Sequence, residues 1–209
     1  MTTRVLGSAI RRREDPRLIT GTATYTDDLK LPGTVHAAIL RSTHAHARIR
    51  RIDTMEAKAA PGVLAVYTSA DTAPALKPMP CLWLIPGSDL KVAEYPLLAK
   101  DVVRYVGECV AVVVAETRYQ AQDALGLIEV DYDPLPAVVD PQKSTESGAP
   151  QLHKEAPGNQ AFHWVVAGGD DIGDVFKRAE VVVKDRIIQQ RLIPTAMEQI
   201  GRASCRERV

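Results

Sequence analysis

The sequence is poor in the features that usually mark a catalytic or binding class. It has only three cysteines, Cys81, Cys109 and Cys205, which are widely spaced and odd in number. This argues against a disulfide framework and a CxxC metal site, and favours a reducing compartment. The formal net charge is zero, which argues against a nucleic-acid or anionic membrane surface. No apolar run approaches the ~20 residues of a membrane-spanning helix.

The amino terminus lacks the apolar segment of a secretory leader, although it carries basic residues. We therefore expect a cytoplasmic protein with no membrane and no nucleic-acid partner. The run Arg11–Arg13, followed by Glu14 and Asp15, is typical of a solvated or partner-facing arm.

The stretch Val102–Val139 has the strongest structural pattern. The apolar run Val110–Ala115 predicts a strand covered on both faces. Thr117 then offers a helix N-cap, with Gln120 at the capping-box position, and Glu129–Tyr132 returns to strand alternation. The pattern predicts a β-α-β unit at the core of the fold.

Shorter elements are predicted on either side of this unit. Five prolines between Pro74 and Pro96 exclude a long regular element there and predict a surface excursion around Trp83. We expect strands over Val35–Leu40, Ala47–Ile52, Val63–Tyr67 and Glu180–Ile193. We also expect short helices capped by Asp53, by Thr68 or Ser69, and by Asp170-Asp171 or Asp174, the last running through Arg178.

Two groups of side chains are candidates for chemistry. His44 and His46 form an H-x-H pair with His36 nearby, which suits a metal site, but a third ligand at a characteristic spacing is missing. Hydrogen-bonding loop histidines are the alternative. Asp131 and Asp133, beside Glu129, could do acid–base work if burial shifted one pKa, or could form the solvated face of a strand.

Other motifs carry less chemistry. Gly168-Gly169 does not match a phosphate-binding loop. Gly107 indicates a bend or bulge, and Cys109 is typical of an inert core thiol. We find no nucleophile elbow and no Ser/His/Asp set.

The last ten residues, IGRASCRERV, break from the preceding pattern. They match the translation of a common short-read sequencing adapter. We therefore expect Ile200–Val209 to be an artefact, which would remove Cys205 from the cysteine count.

Several stretches of the sequence form an ordered set of motifs: Thr20–Asp28, Leu31–Gly33, Arg41–Ile49, Pro61–Val63, Tyr105–Glu108 with Val110–Ala115, and Val130–Tyr132 with Pro134–Pro136. Together they resemble the start of the molybdopterin-binding large subunit in the xanthine dehydrogenase, aldehyde oxidase and carbon monoxide dehydrogenase family. The resemblance runs from about Ser8 to Glu198. Two departures are Thr43 and Cys109, each at a position where proline is frequent in the family.

This resemblance implies an α/β (α+β) fold: an a/b hammerhead domain over 1–145, a linker over 146–165, and the truncated first strands of a molybdopterin-binding domain over 166–199. It also implies that the catalytic glutamate and cofactor loops lie beyond residue 198. We therefore predict no catalytic, cofactor-binding or metal residue in this chain.

For the parent protein, the resemblance implies a molybdenum hydroxylase acting on an aldehyde, N-heterocycle or CO-type substrate. The expected cofactor is molybdenum with molybdopterin, in the cytosine dinucleotide form. The expected partners are iron–sulfur and FAD subunits in a dimer of heterotrimers. The fragment itself is expected to be structural and inactive. The alternative is a free-standing, non-catalytic α/β binding or adaptor module.

Overall fold

The computed structural model describes residues 9, 11–25, 28–83, 86–165 and 171–189. The chain divides into two compact units, one formed by Val35–Asp170 and the other by Met1–Thr34 with Asp171–Val209. Among the described residues, no helix is long and apolar enough to cross a membrane.

The described residues of the Val35–Asp170 unit form two three-stranded antiparallel sheets. The first has the order β1-β5-β3 and the second the order β4-β2-β6. Its strands are β1 (His36–Arg41), β2 (Ala47–Asp53), β3 (Val63–Thr68), β4 (Val102–Val103), β5 (Cys109–Ala115) and β6 (Glu129–Pro134), and its helices are α2 (Met55–Ala59), α3 (Ser69–Thr72) and α4 (Arg118–Leu125). This is the mixed α/β architecture expected from the sequence.

The prediction of a β-α-β unit over Val102–Val139 is wrong in one respect. Helix α4 does follow β5 and precede β6, but β5 lies in the first sheet and β6 in the second. The chain after α4 therefore crosses to another sheet instead of pairing beside β5. Ile52 and Val130, which are neighbours in the second sheet, pack against the hydrophobic clusters of both sheets, so the two sheets share one core.

Helix α4 begins as the sequence predicts. The Thr117 side chain accepts a hydrogen bond from the Gln120 backbone N–H, and Ala121 and Ala124 are buried. Gly126 is the C-cap of the helix. There it avoids the cost of a glycine in a helix interior.

The caps of the shorter helices depart from prediction in one place. The N-cap of α2 is Thr54, while Asp53 accepts a hydrogen bond from the Met55 backbone N–H. This bond, followed by the Arg51 side chain, lowers the pKa of Asp53. Helix α3 has a complete capping box between Thr68 and Asp71, as expected for that position.

Gly62 occupies a turn that only glycine fits. Its φ is +77°, and a Cβ built there would overlap the side-chain amide of Gln120. Its carbonyl also accepts the Glu116 backbone N–H at 2.9 Å. The turn before β3 is thereby fixed against the start of α4.

We expect Gly62→Ala to lower the free energy of unfolding by about 2–3 kcal/mol. Alanine is strained in the left-handed backbone conformation, and its Cβ would also displace the Gln120 side chain. Urea unfolding followed by circular dichroism measures the change. Gly148→Ala is the matched control: its φ is +84° with open space around the Cβ, so it reports backbone strain alone. Equal losses for the two variants would contradict the proposed overlap.

In the other unit, the described residues form α1 (Asp15–Ile19) and α5 (Ile172–Arg178). Helix α5 is capped by Asp171, as predicted. The predicted strand Glu180–Ile193 is wrong over residues 180–189, where the structure has no strand. Its apolar side chains are exposed, Val183 and Ile187 by more than four fifths, and a strand needs a partner for its backbone groups. Residues 190–193 lie outside the described residues.

Candidate functional site

The Tyr105–Glu108 turn connects β4 to β5. Gly107 has φ +92°, a conformation that favours glycine. The Gly107 backbone N–H donates to the Ser42 carbonyl, and the Ser42 N–H donates to the Glu108 carbonyl, both at 2.8 Å. The turn is therefore hydrogen-bonded to the Ser42–His46 loop that follows β1.

Glu108 is the buried carboxylate of this turn, with 6% of its surface exposed. Its Oε2 accepts the Arg104 backbone N–H at 2.5 Å. Burial raises the pKa of Glu108, while the hydrogen bond and charge of Arg104 and the Tyr105 backbone N–H oppose the rise. The side chain therefore acts as an acceptor inside its own loop.

Arg104 links the same turn to a later segment. Its Nε donates to the Leu152 carbonyl at 2.9 Å, and its Nη1 donates to the Val102 carbonyl at 3.3 Å. The pKa of His153, the residue after Leu152, is lowered mainly by burial and secondly by the positive charge of Arg104. The predicted linker residues are thus tied to the sheets at this point.

The two candidate metal-ligating histidines lie in the Ser42–His46 loop and have other partners. The His44 ring stacks against Tyr132 with centroids 4.6 Å apart. His46 Nδ1 lies 2.6 Å from the Pro136 carbonyl oxygen. His36 is elsewhere, on β1 opposite Ala115. Each histidine thus has a local packing or pairing role in place of a shared ligand set.

Three sequence segments meet here, and we call them the motif cluster: Ser42–His46, Tyr105–Glu108 and Tyr132–Pro136. Besides the contacts above, the Leu135 N–H donates to the His46 carbonyl at 2.9 Å. Burial raises the pKa of Tyr132, and a hydrogen bond with Ser42 opposes this rise. Side chains that were candidates for chemistry in the sequence make contacts here that join the two sheets.

Two of the three acidic residues of β6, Asp131 and Asp133, lie near arginines of β2. Asp133 forms an ion pair with Arg50 at 3.1 Å, and both side chains are substantially exposed. Asp131 is exposed and opposite Arg51 in the register, and Glu129 is exposed opposite Asp53. This arrangement is that of a solvated strand face; an exposed pair of this kind contributes about 0–1 kcal/mol.

The remaining candidates are dispersed. Cys109 begins β5 and is half-buried, with Arg41 Nη1 3.4 Å from its sulfur. Gly168-Gly169 lies outside the described residues. The buried Glu108 and its half-buried partner Arg104 were not among the sequence-based candidates. The available signal was a glutamate directly before an apolar strand and four residues after an arginine.

Within the described residues, no three His, Cys, Asp or Glu side chains lie together in a group able to hold a metal ion. In the same ranges, every buried side-chain nitrogen or oxygen has a hydrogen-bond partner.

The family model for the aldehyde oxidase and xanthine dehydrogenase a/b hammerhead domain matches residues 20–136. This range contains the whole motif cluster. The chain belongs to the aldehyde oxidase and xanthine dehydrogenase family. The hammerhead fold and the family expected from the sequence are thus confirmed.

Relatives within the aldehyde oxidase and xanthine dehydrogenase family are similar over most of this chain. The carbon monoxide dehydrogenase large chain of Afipia carboxidovorans is 41% identical and is matched over 92% of this chain and 24% of its own length. The nicotine 6-hydroxylase large subunit of Paenarthrobacter nicotinovorans is 39% identical, over 96% of this chain and 24% of its own length.

A solved structure agrees with these relatives. Quinoline 2-oxidoreductase from Pseudomonas putida 86 is 38% identical and superposes with a TM-score of 0.67, covering 85% of this chain and 22% of that one. The chain therefore spans about a quarter of the length of the relatives it matches.

Proposed function

We propose that this chain is the amino-terminal part of the large subunit of a molybdenum hydroxylase. The match of residues 20–136 to the family's hammerhead domain carries the proposal, and the length comparison supports it, since the relatives are about four times longer. The parent would hydroxylate an aldehyde, N-heterocycle or CO-type substrate. The molybdenum cofactor would supply the oxygen transfer, from water to an electron-poor carbon.

Within this parent, residues 1–145 would form the hammerhead domain, 146–165 a linker, and 166–199 the start of the first molybdopterin-binding domain. The hydrogen bond from Arg104 to Leu152 supports a linker that is anchored to the hammerhead sheets. Residues 200–209 would be an adapter artefact. The role of this chain would be structural, and it would be inactive alone.

We further propose that the parent carries its molybdopterin as the cytosine dinucleotide and works in the cytoplasm. Its electrons would pass to iron–sulfur and FAD subunits in a dimer of heterotrimers. Two surfaces are candidates for contact with them: the exposed Arg11–Arg13 run and the proline-rich excursion. In that excursion Trp83 is 57% exposed, although its ring meets the Phe162 ring edge-on at 5.2 Å.

The uninterrupted gene tests this proposal. We expect its reading frame to continue for several hundred codons with glycine-rich cofactor loops and a late glutamate, beside genes for iron–sulfur and flavin subunits. Purification of the tagged large subunit should then bring down both partners with iron–sulfur and flavin absorbance. A short reading frame without those loops would instead identify a free-standing binding or adaptor module.

A further inference from the structure

The β1-β5-β3 sheet has one covered face and one open face. On the covered side, Ala111, Val113 and Ala115 of β5 have no exposed surface, and Ala111 and Val113 pack in the cluster that includes residues of α2 and α4. Residues of the opposite alternation are only partly covered by the described residues of the Val35–Asp170 unit. We call these residues the open sheet face; by the strand register they form adjacent rows, namely Ala37, Ile39, Ala65, Tyr67, Val112 and Val114.

The open sheet face contains no charged residue, although it is partly exposed to solvent. Ile39 is 36% exposed and Tyr67 45%. Water contact with β-branched and aromatic side chains is unfavourable, at roughly 25 cal/mol for each Å² of apolar surface. In an antiparallel sheet with one face in solvent, the solvated face normally carries polar side chains. The composition of this face is that of a surface buried in the working protein.

On this side of β5, the residues that shield the strand from solvent extend along only part of its length. Val110 is fully buried in the second cluster, with Ala47, Ala99 and Val103. Val112 and Val114, further along the same strand, are half-buried. The sequence prediction that β5 is covered on both faces is therefore wrong for Val112 and Val114 in the described residues, and the missing cover is limited to this end.

The size of the open sheet face indicates what covers it. Three strands about 4.8 Å apart and two residue rows per strand give roughly 200 Å². A stable interface between separate proteins buries about 800 Å² per partner. The face is therefore too small to hold a second copy or a separate subunit by itself. A cover on the same polypeptide needs less area, because its effective concentration is in the millimolar range.

We propose that the open sheet face is a docking surface for an uncharged, apolar helix or sheet face from the same large-subunit polypeptide, outside the quarter that this chain spans. This inference rests on the proposed function, which supplies the longer polypeptide. The cover completes the second apolar layer over β5. It also fixes the hammerhead domain to the rest of the large subunit.

Thiol labelling tests the inference. Tyr67→Cys is introduced into this chain and into the large subunit from the uninterrupted gene. In both proteins Cys81 and Cys109 are replaced by serine, and in this chain Cys205 is replaced as well. Labelling by a maleimide is followed by mass spectrometry of the modified peptide. Gln122→Cys, at an exposed position of α4, is the matched control, and Ile39→Cys is a second probe of the same face.

We expect Tyr67→Cys and Ile39→Cys to label in this chain at a rate close to that of Gln122→Cys, and more than ~10-fold more slowly in the large subunit, as local opening would then be required. Equal rates in the two proteins overturn the proposal. Rates in this chain that fall as its concentration rises also overturn it, because they identify a second copy as the cover. The molybdenum content of the same large subunit separates the proposed function from the proposed docking surface. A large subunit without molybdenum whose cysteines label slowly rejects the proposed function alone. A large subunit with molybdenum whose cysteines label fast rejects the docking surface alone.

Discussion

Replacing Glu108 with alanine is expected to lower the free energy of unfolding by about 3 kcal/mol, measured by urea unfolding at pH 7. The carboxylate is buried and accepts the Arg104 backbone N–H. Its loss leaves the backbone donor of the half-buried Arg104 without this acceptor and removes the carboxylate beside the Arg104 charge. The turn is also hydrogen-bonded to Ser42, so its loosening reaches both sheets.

Glu108→Gln is the matched control, because its amide oxygen can still accept the Arg104 N–H. We expect it to lose less than about 1 kcal/mol at pH 7. A loss equal to that of the alanine variant would show that the charge, and not the acceptor, holds the turn. A negligible loss for alanine would contradict a structural role for Glu108 in the turn.

The same pair predicts a pH dependence. Burial raises the pKa of Glu108 in the fold above its ordinary value of about 4.3. The folded state therefore binds the proton more tightly than the unfolded state, and the contribution of Glu108 to stability is greatest below pH ~4.3 and is lost as the pH rises through the higher folded pKa. Subtracting the Glu108→Gln stability profile from that of the parent sequence should isolate this fall; a difference that rises with pH would contradict it.

Val113→Asp is expected to cost more than ~4 kcal/mol and to leave the Val35–Asp170 unit largely unfolded. Val113 has no exposed surface and lies in the cluster between β5 and the helices. The substitution removes an apolar side chain and buries an unpaired carboxylate. Circular dichroism and urea unfolding at pH 7 measure the effect.

Ile39→Asp is the control for Val113→Asp, since it places the same carboxylate on the open sheet face. We expect it to cost less than ~1.5 kcal/mol in this chain, because solvent reaches the position. Comparable losses at the two positions would show that both faces of the sheet are equally covered, and would contradict the asymmetry seen in the structure.

The strands of the sheets were largely predictable from the sequence. The apolar run at Val110–Ala115 predicts β5 to within a residue, and the cap at Thr117 predicts the start of α4, because local pattern and local hydrogen bonding decide both. The placement of β5 and β6 in different sheets was not predictable, since it depends on packing between residues distant in sequence. The strand expected over Glu180–Ile193 shows the same limit: alternation gives β propensity, but a strand also needs a pairing partner.

The candidate site illustrates how similar sequence signals can have different causes. His44, His46 and Glu108 are residue types that perform chemistry in many proteins. In the structure, each contacts a residue of the motif cluster or the adjacent Arg104. The convergence of three separated segments in this cluster explains why they form one ordered pattern in the sequence.

Molybdenum content is the most direct test of the central claim, which is that this chain supplies scaffold while the cofactor is bound elsewhere in the parent. The 209-residue chain and the full large subunit would be purified from one host that makes the cofactor, and assayed by mass spectrometry for metals. We expect about one molybdenum per large subunit and a background level in the short chain. Stoichiometric molybdenum in the short chain, or none in the large subunit, would contradict the claim.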